Sequence, residues 1–323
     1  MKYGAVRAVV LAAIVQTAVV PAAVGQTAGT LKVVYGFSAG DAGDTLARII
    51  ADRLGTKLGV SAVVENRGGA SGRIGTKAVI GAAPDGMTFL FSPMGPAALH
   101  PVSHTNLDFD PFRDLEPVSQ AAAFDISLTV GPAVSVASVK EFVAWAKRNP
   151  DKANYGTPGL GGLPHFFAVM FATSAGITIR NVPYRGGAAV MNDVISGQLP
   201  FAFGTTATYV ELHNAGRVRV LATSGKARSP FIKDVPTFIE AGYPIEGTGW
   251  YSVYAPLKTP QAAIERASRI IAEMMREPEV RAKVHAIGLE PTGTTPDELR
   301  RLQHADRERW TPAIRASGFR PSD

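Results

Sequence analysis

Residues 33–50 constrain the fold most. The apolar run Val33, Val34, Tyr35 predicts a strand, and Gly36, Gly40 and Gly43 make the loop after it. A helix follows: Asp44 suits an N-cap, and Leu46, Ile49, Ile50, Leu54 and Leu58 recur at helical spacing. Such a turn leaves backbone N–H groups free at the positive end of a helix dipole, an arrangement that favours an anion. Small residues at Ser38, Ala39 and Gly40 let a ligand approach the backbone closely. The same stretch also reads as an ordinary βα turn of an α/β protein.

The pattern continues downstream. Residues 61–64 read as a strand, 74–80 as a short helix and 88–92 as a strand, giving a βαβαβ unit with a right-handed parallel sheet. Residues 99–115 read as irregular, 126–130 as a crossing strand and 139–147 as an amphipathic helix capped by Ser138. A second unit then echoes the first. Tyr155 to Gly162 forms another glycine loop, a helix covers 164–175, and 179–182 is a strand. The loop Pro183 to Gly187 precedes a helix over 188–196, and the strand 200–203 ends in Gly204, Thr205 and Thr206. Strands over 219–223 and 251–255 and helices over 260–276, 279–286 and 296–316 complete the chain, the tail returning to the first unit. At 323 residues two domains are expected, and two lobes joined by crossing strands enclose a cleft suited to a small ligand.

Lys2 and Arg7 precede an apolar run over 8–20, and Ala23 and Gly25 place small residues at −3 and −1 of a cleavage site. This predicts a signal peptide over 1–25, because the run is too short for a membrane span. The chain has no cysteine, which excludes thiolate and disulfide chemistry and a cysteine-borne lipid anchor. The net charge of +6 becomes +4 once Lys2 and Arg7 are removed, since residues 1–25 hold no acid. The bases are scattered, which indicates mild attraction for anions and no nucleic-acid partner.

The chemical motifs are few. Gly36 to Gly40 matches the G-x-S-x-G nucleophile elbow formally, making Ser38 a candidate serine-hydrolase nucleophile. Against this, no His-Gly-Gly-Gly run exists, no earlier strand supplies an oxyanion loop, and the helix begins late. Gly159, Gly161 and Gly162 lack the third glycine of a dinucleotide fingerprint. His100 and His104 lie four apart, but Pro101 argues against a helix there, so they read as surface residues and not metal ligands. His165, in the first turn after the second glycine loop, reads as a capping, packing or ligand-contacting group. The two glycine loops, facing each other at helix starts, can hold a carboxylate between opposed amides. Thr205 and Thr206 can add hydroxyl bonds, with Tyr184 and Arg185 at the rim.

Several segments in order carry a family resemblance: Phe37 to Gly40 followed by Asp44 to Arg48, Val64 to Gly75, Ala83 to Gly86, Tyr155 to His165, Val182 to Gly187, Asp234 to Gly242, and Trp250 with Ala255 and Pro256. Over residues 31–318 the chain resembles the periplasmic solute-binding proteins of tripartite tricarboxylate transporters, the Bug family. The resemblance implies a type II two-lobed α/β periplasmic-binding-protein fold, each lobe a mainly parallel sheet flanked by helices, with hinge strands between. Lobe 1 would be 26–126 plus 251–323, and lobe 2 127–250. It implies a monomer without cofactor, metal or catalysis that closes on a small carboxylate and docks on an inner-membrane permease. The ligand set implied or read from the loops is Phe37, Ser38, Ala39, Gly40, Asp41, Asp44, Met94, Gly95, Thr157, Gly159, Gly161, Gly162, His165, Tyr184, Thr205 and Thr206. Specificity would rest on side chains such as Met94, Asp41, Thr205 and Trp250. The family usually has glycine where Asp41 stands and serine or threonine where Gly162 stands. An acid at 41 either caps the helix or meets a polar group on the ligand. A ligand-sensing subunit for a membrane kinase is the alternative within the same class.

Overall fold

The computed structural model describes residues 29–319; the expected signal peptide lies outside them. Ten strands run in chain order: β1 (Leu31–Tyr35), β2 (Ala62–Asn66), β3 (Thr88–Pro93), β4 (Leu115–Val130), β5 (Asn154–Thr157), β6 (Arg180–Pro183), β7 (Phe201–Thr205), β8 (Arg219–Thr223), β9 (Thr248–Pro256) and β10 (Glu290–Pro291). Between them lie α1 (Ala42–Leu58), α2 (Arg73–Ile80), α3 (His100–Ser103), α4 (Pro111–Asp114), α5 (Val139–Arg148), α6 (Leu163–Ala175), α7 (Gly187–Ser196), α8 (Val210–Asn214), α9 (Gln261–Met274), α10 (Pro278–Ala286) and α11 (Pro296–Ala316).

The strand order is β2-β1-β3-β9-β4-β7-β5-β6, with β8 and β10 also paired to β4. In lobe 1, β2, β1 and β3 are parallel, while β9 is antiparallel to both β3 and β4. In lobe 2, β6, β5 and β7 are parallel and β4 is antiparallel to β7 and β8. Each lobe is thus a parallel triplet closed by antiparallel crossing strands. β4 serves both: residues up to Asp125 pair with β9, and Ile126 to Val130 pair with β7 and β8. One apolar core runs through both lobes, from Leu31, Val33 and Phe89 to Phe142, Phe171 and Phe203.

Three local expectations are corrected. The N-cap of α1 is Asp41, not Asp44: its backbone is extended and its carboxylate accepts from the Asp44 N–H at 2.9 Å. Both acids fit the capping spacing, but Asp44 lies inside the first turn and accepts from Gly40, Arg48 and Asn66. Residues 99–115 are not wholly irregular. A π-turn at Gly95–Leu99 runs into α3, whose proline sits at the start, where its missing N–H costs nothing. The crossing strand begins at Leu115 and not Ile126. Pro117 and Ala121 to Ala123 disfavour a strand locally, and pairing with β9, across register shifts at 117/119 and 120/122, overrides them.

The tail packs against Ala97 and Trp250. α11 opens on a capping box of Thr295 and Glu298. Gln303 Nε2 donates to the Ala97 carbonyl at 2.6 Å, and Trp250 Nε1 on β9 donates to Asp306 at 2.7 Å. Burial pushes the Asp306 carboxyl above its ordinary pKa, and the indole N–H opposes that shift. Trp250→Phe leaves this buried carboxyl without its donor. Stability measured by chemical denaturation should fall by about 1–3 kcal/mol. An unchanged midpoint would mean that α11 docks without this bond.

Candidate functional site

The loops after β1, β3, β5 and β7 meet where the two lobes touch, outside the carboxyl ends of the parallel strands, where open α/β sheets place their ligands. The lobes are in direct contact. The Ser38 N–H donates to the Arg185 carbonyl at 3.0 Å, the Gly187 N–H to Asp41 Oδ2 at 3.3 Å, and Ser103 Oγ to the Gly161 carbonyl at 3.4 Å.

Between them lies a cavity of about 50 Å³. Lobe 1 supplies Phe37, Ser71, Met94, Gly95 and His100; lobe 2 supplies Gly159, Gly162, Leu163 and Thr205. Phe124 on β4 and Tyr251 on β9 form the wall given by the crossing strands, and Pro93, Pro96, Pro158 and Pro164 complete it. Among the described residues no Lys, Arg, Asp or Glu lines this cavity. A larger groove of about 900 Å³ runs along the outer edge of lobe 2. Among its charged residues, His213 lies 3.4 Å from Asp234 and Glu141 accepts from the Ala137 N–H.

The two helix starts facing the cleft differ. At α1 the capping position is filled by Asp41, which accepts from Asp44, Tyr35 and Gly187. Burial raises the Asp41 carboxyl to about 6, against the N–H of Asp44, the Tyr35 hydroxyl and the N–H of Gly187, which favour the charged form. Asp41 therefore caps its own helix and also reaches the first residue of α7 in the opposite lobe. At α6 the cap is Gly162, which offers no side chain, and the first turn contains no acid. The dipole of a 13-residue helix thus ends at the cavity without a protein counter-charge. Gly95, at the uncapped start of the helical segment after β3, packs against Gly162; a Cβ on Gly95 would lie 3.3 Å from Gly162 Cα.

Of the sixteen residues expected at the site, Phe37, Met94, Gly95, Gly159, Gly162 and Thr205 line the cavity. The others stand elsewhere. Ala39 and Gly40 are exposed, and Asp44 is bound to Arg48 and Asn66. The Ser38 hydroxyl is buried without a hydrogen-bond partner, and no histidine reaches it as a base would. Thr157 Oγ1 donates to the Gly159 carbonyl and accepts from Asn181, shaping the second loop from behind. Gly161, at φ +71°, packs against His104, and its N–H donates to His165 Nδ1 at 3.4 Å. His165 also packs edge-on against Phe319, with burial lowering its pKa to about 4. Tyr184 donates to Asp193 at 2.6 Å, Thr206 is buried off the cavity wall, and Trp250 faces α11.

His100 is the main residue that sequence reasoning misplaced. It is fully buried and lines the cavity, and His104 is buried beside it, with ring centroids 4.5 Å apart. Their four-residue spacing was a usable signal, set aside because of Pro101. Among the described residues no group of three or more His, Asp or Glu could hold a metal ion.

Comparison with known proteins fits this geometry. Residues 46–319 match the family described as the tripartite tricarboxylate transporter family receptor. A UPF0065 protein from the tcbD-tcbE intergenic region of a Pseudomonas species is 30% identical over 280 residues, covering 86% of this chain and 83% of that protein. Protein BugT of Bordetella pertussis is 29% identical over 290 residues, 89% of each chain. Among solved structures, R. palustris Rpa4515 with adipate superposes with a TM-score of 0.87 at 31% identity, covering 90% of this chain and 98% of that one. The chain belongs to the tripartite tricarboxylate transporter receptor family, a family of two-lobed solute-binding proteins.

Proposed function

We propose that this is an exported, monomeric binding protein that captures a small carboxylate between its lobes and delivers it to a membrane permease. The observation that carries the reading is the uncapped, acid-free N-terminus of α6, opening on an inter-lobe cavity lined by no charged side chain. A carboxylate there meets N–H groups left without intrahelical partners and the positive end of a dipole, in surroundings where water is largely excluded. The Gly95 backbone approaches the same point from lobe 1, so a bound anion would draw both lobes together. Adipate in the R. palustris relative supports a carboxylate as the ligand class. Lobe 1 (26–126 and 251–323) and lobe 2 (127–250) would move about β4 and β9, opening to admit the ligand and closing to form the surface that the permease reads.

Gly95→Val tests the reading. The β-branched side chain would wedge against Gly162 while leaving the helical backbone of residue 95 undisturbed. Isothermal titration should show carboxylate affinity falling about tenfold or more, roughly 1.4 kcal/mol, with the melting temperature of the free protein little changed. Unaltered affinity would mean that the ligand sits elsewhere.

Asp41 gives a second test. Its pKa of about 6 lies above the ordinary 3.8, so the folded chain keeps a proton that the unfolded chain loses between those values. The stability this contributes is present at the acid end and disappears as pH rises through about 6. Asp41→Asn, neutral at every pH like the protonated acid, removes this pH dependence. Melting temperatures of wild type and variant should converge toward pH 4 and differ in their pH slope up to pH 6. Asp125, also pushed up to about 6 by burial, keeps its slope in both. Parallel curves would show that Asp41 does not titrate in this range.

A further inference from the structure

The reading above assigns one end of the ligand. His100 says something about the other. Its side chain is wholly buried, it lines the cavity, and neither Nδ1 nor Nε2 has a hydrogen-bond partner among the described residues. Buried polar groups are almost always satisfied, and an unsatisfied one calls for an explanation. The surroundings limit the partner. Burial first, then the electrostatic influence of nearby His104 and Arg73, holds the His100 imidazole well below its usual pKa. The ring is therefore neutral at physiological pH and presents one N–H donor and one acceptor nitrogen. It cannot supply a positive charge. Phe37, Met94, Phe124 and Tyr251 provide apolar walls, and the cavity lining contains no Lys or Arg. A second carboxylate carried into this space would lose its hydration with no Lys or Arg in the lining to contact it, which is costly.

We propose that His100 is the specificity residue of the cleft, and that the ligand is a monocarboxylate with an apolar body whose far end carries a neutral hydroxyl bonded to the His100 ring. This rests on the carboxylate-binding reading above. A hydroxyl is the group that both donates and accepts, so it can serve either ring nitrogen in either tautomer. The apolar body takes the contact offered by the aromatic and methionine walls.

The test is isothermal titration of wild type and His100→Phe with three probes: 4-hydroxyphenylacetate, phenylacetate and adipate. Wild type should bind 4-hydroxyphenylacetate about 10–100-fold more tightly than phenylacetate, since the latter leaves the ring unsatisfied, and adipate more weakly than either. His100→Phe should bind the two monocarboxylates within about threefold of each other. It should also melt at a higher temperature than wild type when free of ligand, because it removes two buried, unsatisfied nitrogens; that second measurement shows the variant is folded. If phenylacetate and 4-hydroxyphenylacetate bind wild type equally, or if His100→Phe preserves the preference for the hydroxyl, the assignment of His100 is overturned while carboxylate capture stands. Adipate binding more tightly than both would overturn the monocarboxylate class. If none of the three binds, the carboxylate reading itself fails, and this proposal with it.

Discussion

What the cleft can do depends on which helix N-terminus already has its anion. Two helices of comparable length begin at the junction of the lobes, each after a glycine-bearing loop. At α1 the chain provides its own carboxylate, and Asp41 binds there so completely that it also reaches the backbone of the opposite lobe. At α6 it provides only glycine. The electrostatic demand of one helix is met within the protein, and that of the other faces an apolar enclosure. In such surroundings a backbone dipole acts with less screening than in water, and an uncapped turn favours negative charge.

The sheet explains why these helix starts meet. β4 is long enough to take part in both lobes, leaving β9 for β7 and β8 near Asp125. The parallel triplets on either side therefore direct their carboxyl ends, and the loops and helices that follow, toward one crevice. Phe124 on β4 and Tyr251 on β9 flank the crossing and pack at a tilt of 45° in the cavity wall, with ring centroids 4.7 Å apart. The strands that join the lobes thus also supply part of the cavity wall. Beyond it, Phe319 lies against His104 of one lobe and His165 and Phe166 of the other, so the tail spans the junction.

Much of this was legible in the sequence. Hydrophobic periodicity located β1, α1, β3, α6 and α11 because each has a strong local pattern, and repetition of a glycine loop indicated two similar units. The fold class follows from those elements. The lining of the cavity was legible in part. Phe37, Met94, Gly95, Gly159, Gly162 and Thr205 sit at strand ends and helix starts, positions that local pattern reveals. Three kinds of information were not local. The choice between Asp41 and Asp44 as cap depended on Tyr35 and Gly187, which approach from elsewhere in the fold. Phe124 and Tyr251 lie on strands whose both faces are apolar, so alternation could not say which residues face the cleft. His100 reads as exposed from sequence because Pro101 disfavours a helix interior. At the first turn proline breaks nothing, and the π-turn before it carries the ring inward.

The account is tested most directly by a crystal structure of the protein with phenylacetate bound. It predicts the carboxylate on the first-turn N–H groups of α6, beside Gly162 and Gly95, with Asp41 still bound to the N–H groups of Asp44 and Gly187. A carboxylate found instead at the start of α1, with Asp41 displaced, would contradict it.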